Sequence, residues 1–119
     1  MKTVLVVDDE YDLLESICAA LEIEGYRLVS AANGRAALEV LQATRPDLVI
    51  TDVMMPYVSG YELLDRMYRM PGFEAVPSLL MSAIDPRSHP QGPWKMVLAK
   101  PFSIDRLYAA VNGLIGPAQ

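Results

Sequence analysis

The sequence contains a single cysteine and a single histidine in 119 residues. One cysteine, Cys18, cannot form a disulfide within the chain, which excludes the small scaffolds that disulfide bonds hold together. Cys18 lies among apolar positions of a predicted helix, and we interpret it as a small core residue. The histidine, His89, has no cysteine close to it in the sequence, so we expect it to have no metal-binding or catalytic role. The fold must therefore be stabilised by its hydrophobic core.

Positive charge and long apolar runs are also scarce. The chain has 10 basic and 15 acidic residues, which gives a formal net charge of −5. Nucleic acids and acidic lipids bind basic surfaces, so we expect no nucleic-acid partner and no membrane partner. The first apolar run, Val4 to Val7, ends at Asp8 and is too short for a signal peptide or a membrane span. We therefore expect a cytoplasmic protein whose partners are proteins, cations or small molecules.

Apolar residues are abundant, at 52% of the chain, and this favours strands that are buried on both faces. Runs of strand length alternate with segments of helical periodicity, and these runs lie at about 3–8, 27–31, 47–52, 77–82 and 95–99. Alternating strands and helices with right-handed crossovers build a parallel sheet with helices on both sides. The sequence therefore predicts an α/β fold, a flavodoxin-like doubly wound five-stranded parallel sheet in the order 2-1-3-4-5.

A chain of this length has room for one domain, which we place at residues 1–116. Residues 117–119 are predicted to form a C-terminal tail or the start of a linker. Helix signals consist of a polar cap followed by an apolar stripe. They predict helices at about 11–24 and at about 34–44, the second one capped by Asn33. A third helix begins at Ser59, which forms a capping-box pair with Glu62, and the last helix lies between Ser103 and Gly116.

One segment breaks the alternation of strands and helices. Residues 85–93 contain three prolines and a glycine where a helix is due. Proline inside a helix costs about 3 kcal/mol, so at most one short helical turn fits there. We therefore predict a shortened or missing fourth helix, with a loop that joins strand 4 to strand 5.

Acidic residues follow two strands that the predicted order makes neighbours. Asp8 and Asp9 follow strand 1, and Asp52 ends strand 3. Strands in a sheet lie about 4.8 Å apart, so these carboxylates are expected to meet in one crevice. Two carboxylates about 4–5 Å apart repel by roughly 3–4 kcal/mol at an effective dielectric of about 20, and Lys100 alone cannot neutralise three of them. Carboxylate oxygens suit a hard divalent cation, and we therefore predict a Mg²⁺ site.

Simpler explanations exist for each residue taken alone. Asp8 and Asp9 fit the positive end of a helix dipole, but Asp52, at the end of another strand, does not. Ser82 alone would be an ordinary loop hydroxyl, and Lys100 alone would be a solvated surface charge. Their positions at the ends of strands 4 and 5, beside the acidic residues, are what favour a functional role for both.

Four motifs, in order along the chain, resemble the receiver domain of bacterial two-component response regulators. They are Asp8-Asp9 after strand 1, Asp52 to Pro56 with Gly60 opening the third helix, Ser82-Ala83 after strand 4, and Lys100-Pro101-Phe102 after strand 5. Each motif is weak alone, but all four at matching strand ends are specific. The resemblance covers almost the whole chain and implies a phosphoacceptor signalling domain, not an enzyme beyond its own phosphoryl transfer and slow dephosphorylation.

By this resemblance, Asp52 accepts a phosphoryl group from a phosphohistidine of a sensor histidine kinase or a phosphotransfer protein. Mg²⁺ is then bound directly by Asp9, Asp52 and the backbone carbonyl of Met54, while Asp8 acts largely through water. These assignments follow from the family and not from the spacing of the residues.

The resemblance also implies roles for the residues at the ends of strands 4 and 5. Lys100 pairs with Asp52 at rest and with phosphate oxygen later, and the peptide bond between Lys100 and Pro101 is cis. Ser82 turns toward the phosphoryl group, and the change switches the binding of a downstream protein or output domain that the sequence does not identify.

The chain departs from the family next to strand 5. Val97 stands where receiver domains usually carry an aromatic switch residue, and Trp94 either substitutes for that residue or has a packing role. The proline-rich segment also alters the face formed by helix 4 and strand 5. A receiver-like interaction scaffold that signals without phosphorylation, through this altered face, therefore stays open as the alternative.

Two apolar residues occupy positions that flank the route of the hydrolysing water in the family. Met54 and Ile84 lie two positions beyond Asp52 and Ser82. Neither side chain can orient a water molecule by hydrogen bonding, so we expect slow loss of the phosphoryl group.

Overall fold

The structure, a computed structural model, describes residues 1–118, apart from the side chain of Pro86. Gln119, the last residue of the predicted tail, lies outside the described residues. The strands are β1 (Thr3–Val7), β2 (Arg27–Ala31), β3 (Leu48–Asp52), β4 (Ser78–Ser82) and β5 (Met96–Ala99). The α-helices are α1 (Tyr11–Ile23), α2 (Gly34–Ala43), α3 (Gly60–Tyr68) and α4 (Ile104–Ile115).

All five strands form one parallel sheet in the order β2-β1-β3-β4-β5, which confirms the predicted topology. The core lies in two layers because alternate strand residues point to opposite faces. On one face Val4 and Val6 pack against residues of α1 and α4, and on the other Leu5 and Val7 pack against residues of α2 and α3. Among residues 1–118, no helix is long and apolar enough to cross a membrane.

The predicted helix caps are present at α2, α3 and α4. The side chains of Asn33, Ser59 and Ser103 each accept a hydrogen bond from a backbone N–H three residues further on. At α3 the capping box is formed in one direction, because the Glu62 carboxylate binds Arg66 at 2.6 Å. Helix α1 begins differently, since its N-cap residue Glu10 makes no side-chain cap.

The segment between β4 and β5 contains a single 3₁₀ turn, Pro86–Ser88, in place of a helix. Asp85 caps this turn by accepting a hydrogen bond from the backbone N–H of Arg87 at 2.9 Å. The prediction of a shortened or missing helix between β4 and β5 is therefore confirmed, and its physical cause is the density of proline.

The end of the described chain packs against the beginning. The backbone N–H of Lys2 donates to the carbonyl of Ala118 at 2.9 Å, and the Tyr26 hydroxyl donates to the carbonyl of Gly116 at 2.7 Å. Ala118 is buried. The packed part of the chain therefore includes the residues that follow α4, at the edge of the sheet where the parallel strands begin.

Candidate functional site

The carboxyl ends of β1, β3, β4 and β5 place the candidate residues side by side. In the sheet register Val7 pairs with Thr51, Asp52 with Met81, and Ser82 with Ala99. The residues at or just after these positions include Asp8, Asp52, Ser82 and Lys100. The crevice lies between β1 and β3, where the connections from the two strands leave in opposite directions, which is the usual ligand position in such sheets.

Three carboxylates converge in this crevice. Asp8, Asp9 and Asp52 each offer an oxygen, and these oxygens all lie within 4.8 Å of one another. Asp8 is buried and Asp9 is exposed. Asp52 is mostly buried, with 9% of its surface exposed. Such a set of oxygen donors fits a hard divalent cation that keeps some of its water.

The two oxygens of Asp8 already have partners. Oδ1 accepts a hydrogen bond from the backbone N–H of Glu10 at 2.9 Å, and Oδ2 lies 3.4 Å from the ammonium nitrogen of Lys100. Asp9 is exposed and carries no such contacts among the described residues. Which of the three carboxylates bind an ion directly stays a prediction.

Lys100 is the cation of the crevice. Its Nζ lies 3.1 Å from Oδ1 of Asp52 and 3.4 Å from Oδ2 of Asp8. The backbone N–H of Lys100 donates to the carbonyl of Ser82 at 2.7 Å, which extends the β4–β5 pairing to the site. The peptide bond between Lys100 and Pro101 is cis, as expected.

Burial and charge act in opposite directions on the protonation of this cluster. Burial raises the pKa of Asp52, the Asp8 charge adds to the increase, and Lys100 offsets only part of it. Burial by itself would lower the pKa of Lys100, but the bonds and charges of Asp52 and Asp8 outweigh it, so that pKa is raised. The two increases are compatible because one cation faces two carboxylates.

Ser82 ends β4 and is buried, with 2% of its surface exposed. Its Oγ accepts a hydrogen bond from the backbone N–H of Ile84 at 3.0 Å. The hydroxyl therefore holds the first residues of the segment between β4 and β5.

Apolar side chains surround the crevice. Tyr11, Met54, Tyr57 and Ile84 are largely exposed on the loops and the helix start that border it. An open recess of about 410 Å³ lies next to Lys100 and is lined also by Glu10, Leu13, Ala83, Pro101 and Phe102. Exposed apolar surface next to charged chemistry is typical of a docking site for another protein.

The structure brings together Asp8, Asp9, Asp52 and Lys100, and it places Ser82 at the end of the strand beside Asp52. Met54 lies in the loop after β3, and the role of its backbone carbonyl stays a prediction.

Sequence reasoning missed one cluster, in which Tyr61 of α3 contacts His89 and Trp94 of the β4–β5 segment. No motif or spacing links these three residues, so the sequence offered no signal for it.

The fold and the crevice define a doubly wound α/β protein with an acidic site and one lysine at the switch point of its sheet. Residues 4–112 match the family of the response regulator receiver domain. The chain therefore belongs to the response regulator receiver domain family.

Individual comparisons agree with this assignment. The chain is 36% identical to response regulator Rre1 of Synechocystis sp. over 98% of its own length and 53% of the relative's. The chemotaxis response regulator CheY4 of Vibrio cholerae superimposes with a TM-score of 0.91 at 29% identity, covering 96% of this chain and 98% of that one. Response regulator TrrA of Thermotoga maritima, solved in complex with Mg²⁺-BeF, gives a TM-score of 0.86 at 31% identity, covering 96% and 99%. The chain spans about half the length of the first curated relatives it matches.

Proposed function

We propose that Asp52 accepts a phosphoryl group from a phosphohistidine and that the chain is a phosphoacceptor of a two-component phosphorelay. The observation that carries the proposal is the position of Lys100, whose ammonium nitrogen lies 3.1 Å from Oδ1 of Asp52 within the acidic crevice. A nucleophilic carboxylate and a cation are thus held together where an incoming phosphoryl group can reach both.

The chemistry needs little beyond these groups. An oxygen of Asp52 attacks phosphorus, the P–N bond of the phosphohistidine breaks, and its electron pair leaves with the imidazole, which takes up a proton. Phosphoryl transfer depends mainly on in-line positioning and on neutralisation of the charge on the moving group. Lys100 supplies one positive charge beside the Asp52 carboxylate, and partial burial of Asp52 removes competing water.

The residues present also fit Mg²⁺. Asp9, Asp52 and the backbone carbonyl of Met54 would hold the ion, with Asp8 acting through water. Support comes from the convergence of the three carboxylates within 4.8 Å and from the complex of TrrA with Mg²⁺-BeF. When bound, Mg²⁺ neutralises negative charge on the phosphoryl oxygens.

The phosphodonor is a sensor histidine kinase or a phosphotransfer protein, which we expect to meet the chain in the cytoplasm. It would dock on the apolar surface around the crevice, where Tyr11 and Met54 are exposed and a recess lies beside Lys100. The protein that responds to the phosphorylated state is not identified.

A second candidate function rests on one observation, the single 3₁₀ turn between β4 and β5. If this rebuilt face binds a partner by itself, the chain is an interaction scaffold that signals without phosphorylation. Retention of Asp52, Lys100 and the acidic pair favours the phosphoacceptor.

The two functions are separated by incubation with acetyl phosphate and Mg²⁺, followed by intact mass measurement. We expect the mass of one phosphoryl group to be added to the wild-type chain and to Asp12→Asn, which removes an exposed carboxylate of α1. We expect no addition to Asp52→Asn. An unmodified wild-type chain would leave the scaffold as the better description.

A further inference from the structure

Met54 is an exposed methionine at the rim of the candidate site. It lies two residues beyond Asp52, and 71% of its surface is exposed. By contrast, Met67 and Met81 are fully buried, and Met96, in β5, is 40% exposed. Oxidation of a thioether requires that the oxidant reach the sulfur atom. Met54 is therefore open to a reaction from which the core methionines are shielded.

The residues on both sides of Met54 are anchored to the rest of the fold. Val53 is buried, its backbone N–H donates to the carbonyl of Met81 at 3.2 Å, and its carbonyl accepts the backbone N–H of Gly60 at 2.9 Å. The side chain of Met55 packs against the core layer that α2 and α3 cover. A change in the chemistry of the Met54 side chain therefore occurs on backbone that is held next to Asp52.

The single cysteine of the sequence competes poorly for a peroxide. The thiolate, and not the thiol, is the nucleophilic form of cysteine. Cys18 is half-buried, and burial together with the negative charges of Glu22 and Glu15 raises the pKa of its thiol to about 11. The thiolate is therefore scarce at neutral pH, and a peroxide finds few reactive groups besides exposed methionine sulfur.

We propose that Met54 is an oxidation site through which hydrogen peroxide shortens the lifetime of the aspartyl phosphate, a form of regulation that rests on the proposed function. A lone pair of the sulfur attacks one peroxide oxygen, so that an S–O bond forms and the O–O bond breaks. The departing hydroxide takes the proton of the oxygen bound to sulfur and becomes water. Sulfur is thus oxidised by two electrons, the peroxide is reduced, and the product is methionine sulfoxide.

The effect on the phosphoryl group follows from hydrogen bonding. The thioether of Met54 is a weak acceptor and cannot orient an attacking water molecule. The sulfoxide oxygen carries partial negative charge and is a strong acceptor, so it can hold a water molecule beside a phosphoryl group on Asp52. A water molecule that is positioned in line with the bond to Asp52 attacks phosphorus faster. The bond between phosphorus and the Asp52 oxygen then breaks and releases inorganic phosphate.

The first measurement locates the oxidation and does not depend on phosphorylation. The wild-type chain is exposed briefly to hydrogen peroxide at pH 7, and its peptides are analysed by mass. We expect Met54 to gain one oxygen atom several-fold faster than Met67 and Met81, whose side chains are buried. Oxidation of Met54 only as fast as that of these two residues would overturn the proposal.

The second measurement follows the phosphoryl group. Catalase removes the peroxide, the chain is labelled with acetyl phosphate and Mg²⁺, and loss of the added mass gives the rate of hydrolysis. We expect this loss to be several-fold faster in the oxidised wild type than in the reduced wild type. The two methionine sulfoxide reductases, one for each sulfoxide epimer, should together restore the slow loss. Equal rates in the oxidised and reduced chains would overturn the regulation and leave the phosphoacceptor intact.

Two variants assign the effect to one sulfur atom. Met54→Leu removes the sulfur but keeps the backbone carbonyl, and Met96→Leu removes an exposed methionine of β5. We expect peroxide to leave the rate of phosphoryl loss unchanged in Met54→Leu and to raise it in Met96→Leu as in the wild type. An equal rise in both variants would overturn the role of Met54. Failure of acetyl phosphate to label the reduced wild type would overturn both the phosphoacceptor and the regulation that rests on it.

Discussion

A methyl group on Gly60 would lie 2.2 Å from the backbone carbonyl oxygen of Asp52, because the first turn of α3 lies directly against the end of β3. The backbone N–H of Gly60 also donates to the carbonyl of Val53 at 2.9 Å. The start of the helix and the end of the strand therefore hold the loop between them in one arrangement, and that loop contains Met54.

Gly60→Ala should consequently destabilise the fold by about 2 kcal/mol, since the added methyl group must displace α3 from β3. Gly113→Ala is the control, because a methyl group there meets nothing within 4 Å. Gly113 lies in the last turn of α4, where that change should stabilise by up to about 0.5–1 kcal/mol. Urea denaturation of both variants checks the pair, and a neutral Gly60→Ala would contradict the close approach.

Mg²⁺ should stabilise the chain through the three carboxylates of the crevice. A ligand that binds only the folded state adds about 1.4 kcal/mol at ten times its dissociation constant. We expect the thermal midpoint to rise on titration with Mg²⁺ in the wild type and in Asp12→Asn, and to stay constant in Asp9→Asn. An equal rise in all three proteins would mean that the ion binds elsewhere.

Asp52 should make stability depend on pH. Burial raises the pKa of Asp52 in the folded chain above its ordinary value of 3.8. At pH values between 3.8 and the folded pKa, the folded chain therefore binds more protons than the unfolded chain. This contribution to stability is therefore present in acid and lost as the pH rises through the folded pKa.

At neutral pH the ionised Asp52 carboxylate is partly buried, which lowers the stability of the folded chain. Asp52→Asn removes this charge and its cost. We expect the variant to be more stable than the wild type by on the order of 1 kcal/mol at pH 7, with the difference vanishing near pH 3. Urea midpoints at the two pH values test the sign. A variant that is less stable at pH 7 would show that the pairing of Asp52 with Lys100 outweighs its burial.

Tyr57 should be replaceable with a gain in stability. Its φ of 69° lies in the left-handed region, and 84% of its surface is exposed, so the residue carries backbone strain without compensating burial. Tyr57→Asn should stabilise by about 0.5–1 kcal/mol, because asparagine tolerates this conformation better. The same substitution at Tyr11, an exposed residue at the start of α1, should give no gain in a parallel denaturation experiment.

Met54 should influence the lifetime of the aspartyl phosphate. Its side chain is 71% exposed beside Asp52 and cannot orient an attacking water molecule. Met54→Asn introduces an amide that can, so we expect the phosphoryl group to be lost several-fold faster. Loss of the added mass over time measures the rate. Met96→Asn, at an exposed methionine of β5, provides the control, and equal decay in both variants would exclude this role for Met54.

Much of this fold follows from local signals that a sequence displays directly. Caps at Asn33 and Ser103 and the alternation of strands and helices locate the elements because each depends on residues a few positions apart. The strand order then brings Asp8 beside Asp52 without further information.

Contacts between side chains that are far apart in the sequence could not be predicted from these local signals. Nothing in the sequence pairs Tyr61 with His89, 28 positions away, because the pairing depends on how the segment between β4 and β5 packs against α3. The second bond of Lys100, to Asp8, depends likewise on the reach of a flexible side chain across the crevice. The direction taken by Glu62, toward Arg66, reflects a competition between two nearby partners.

The bond between the Lys2 amide and the Ala118 carbonyl has a practical consequence for anyone who attaches a reporter to this molecule. It joins the two extremities at the side of the sheet remote from the carboxyl ends of the strands. A fluorescent protein, an affinity tag or a surface anchor fused next to Lys2 or Ala118 would leave the opposite rim, with its acidic crevice, uncovered. A circular permutant that links these extremities should likewise keep that rim undisturbed.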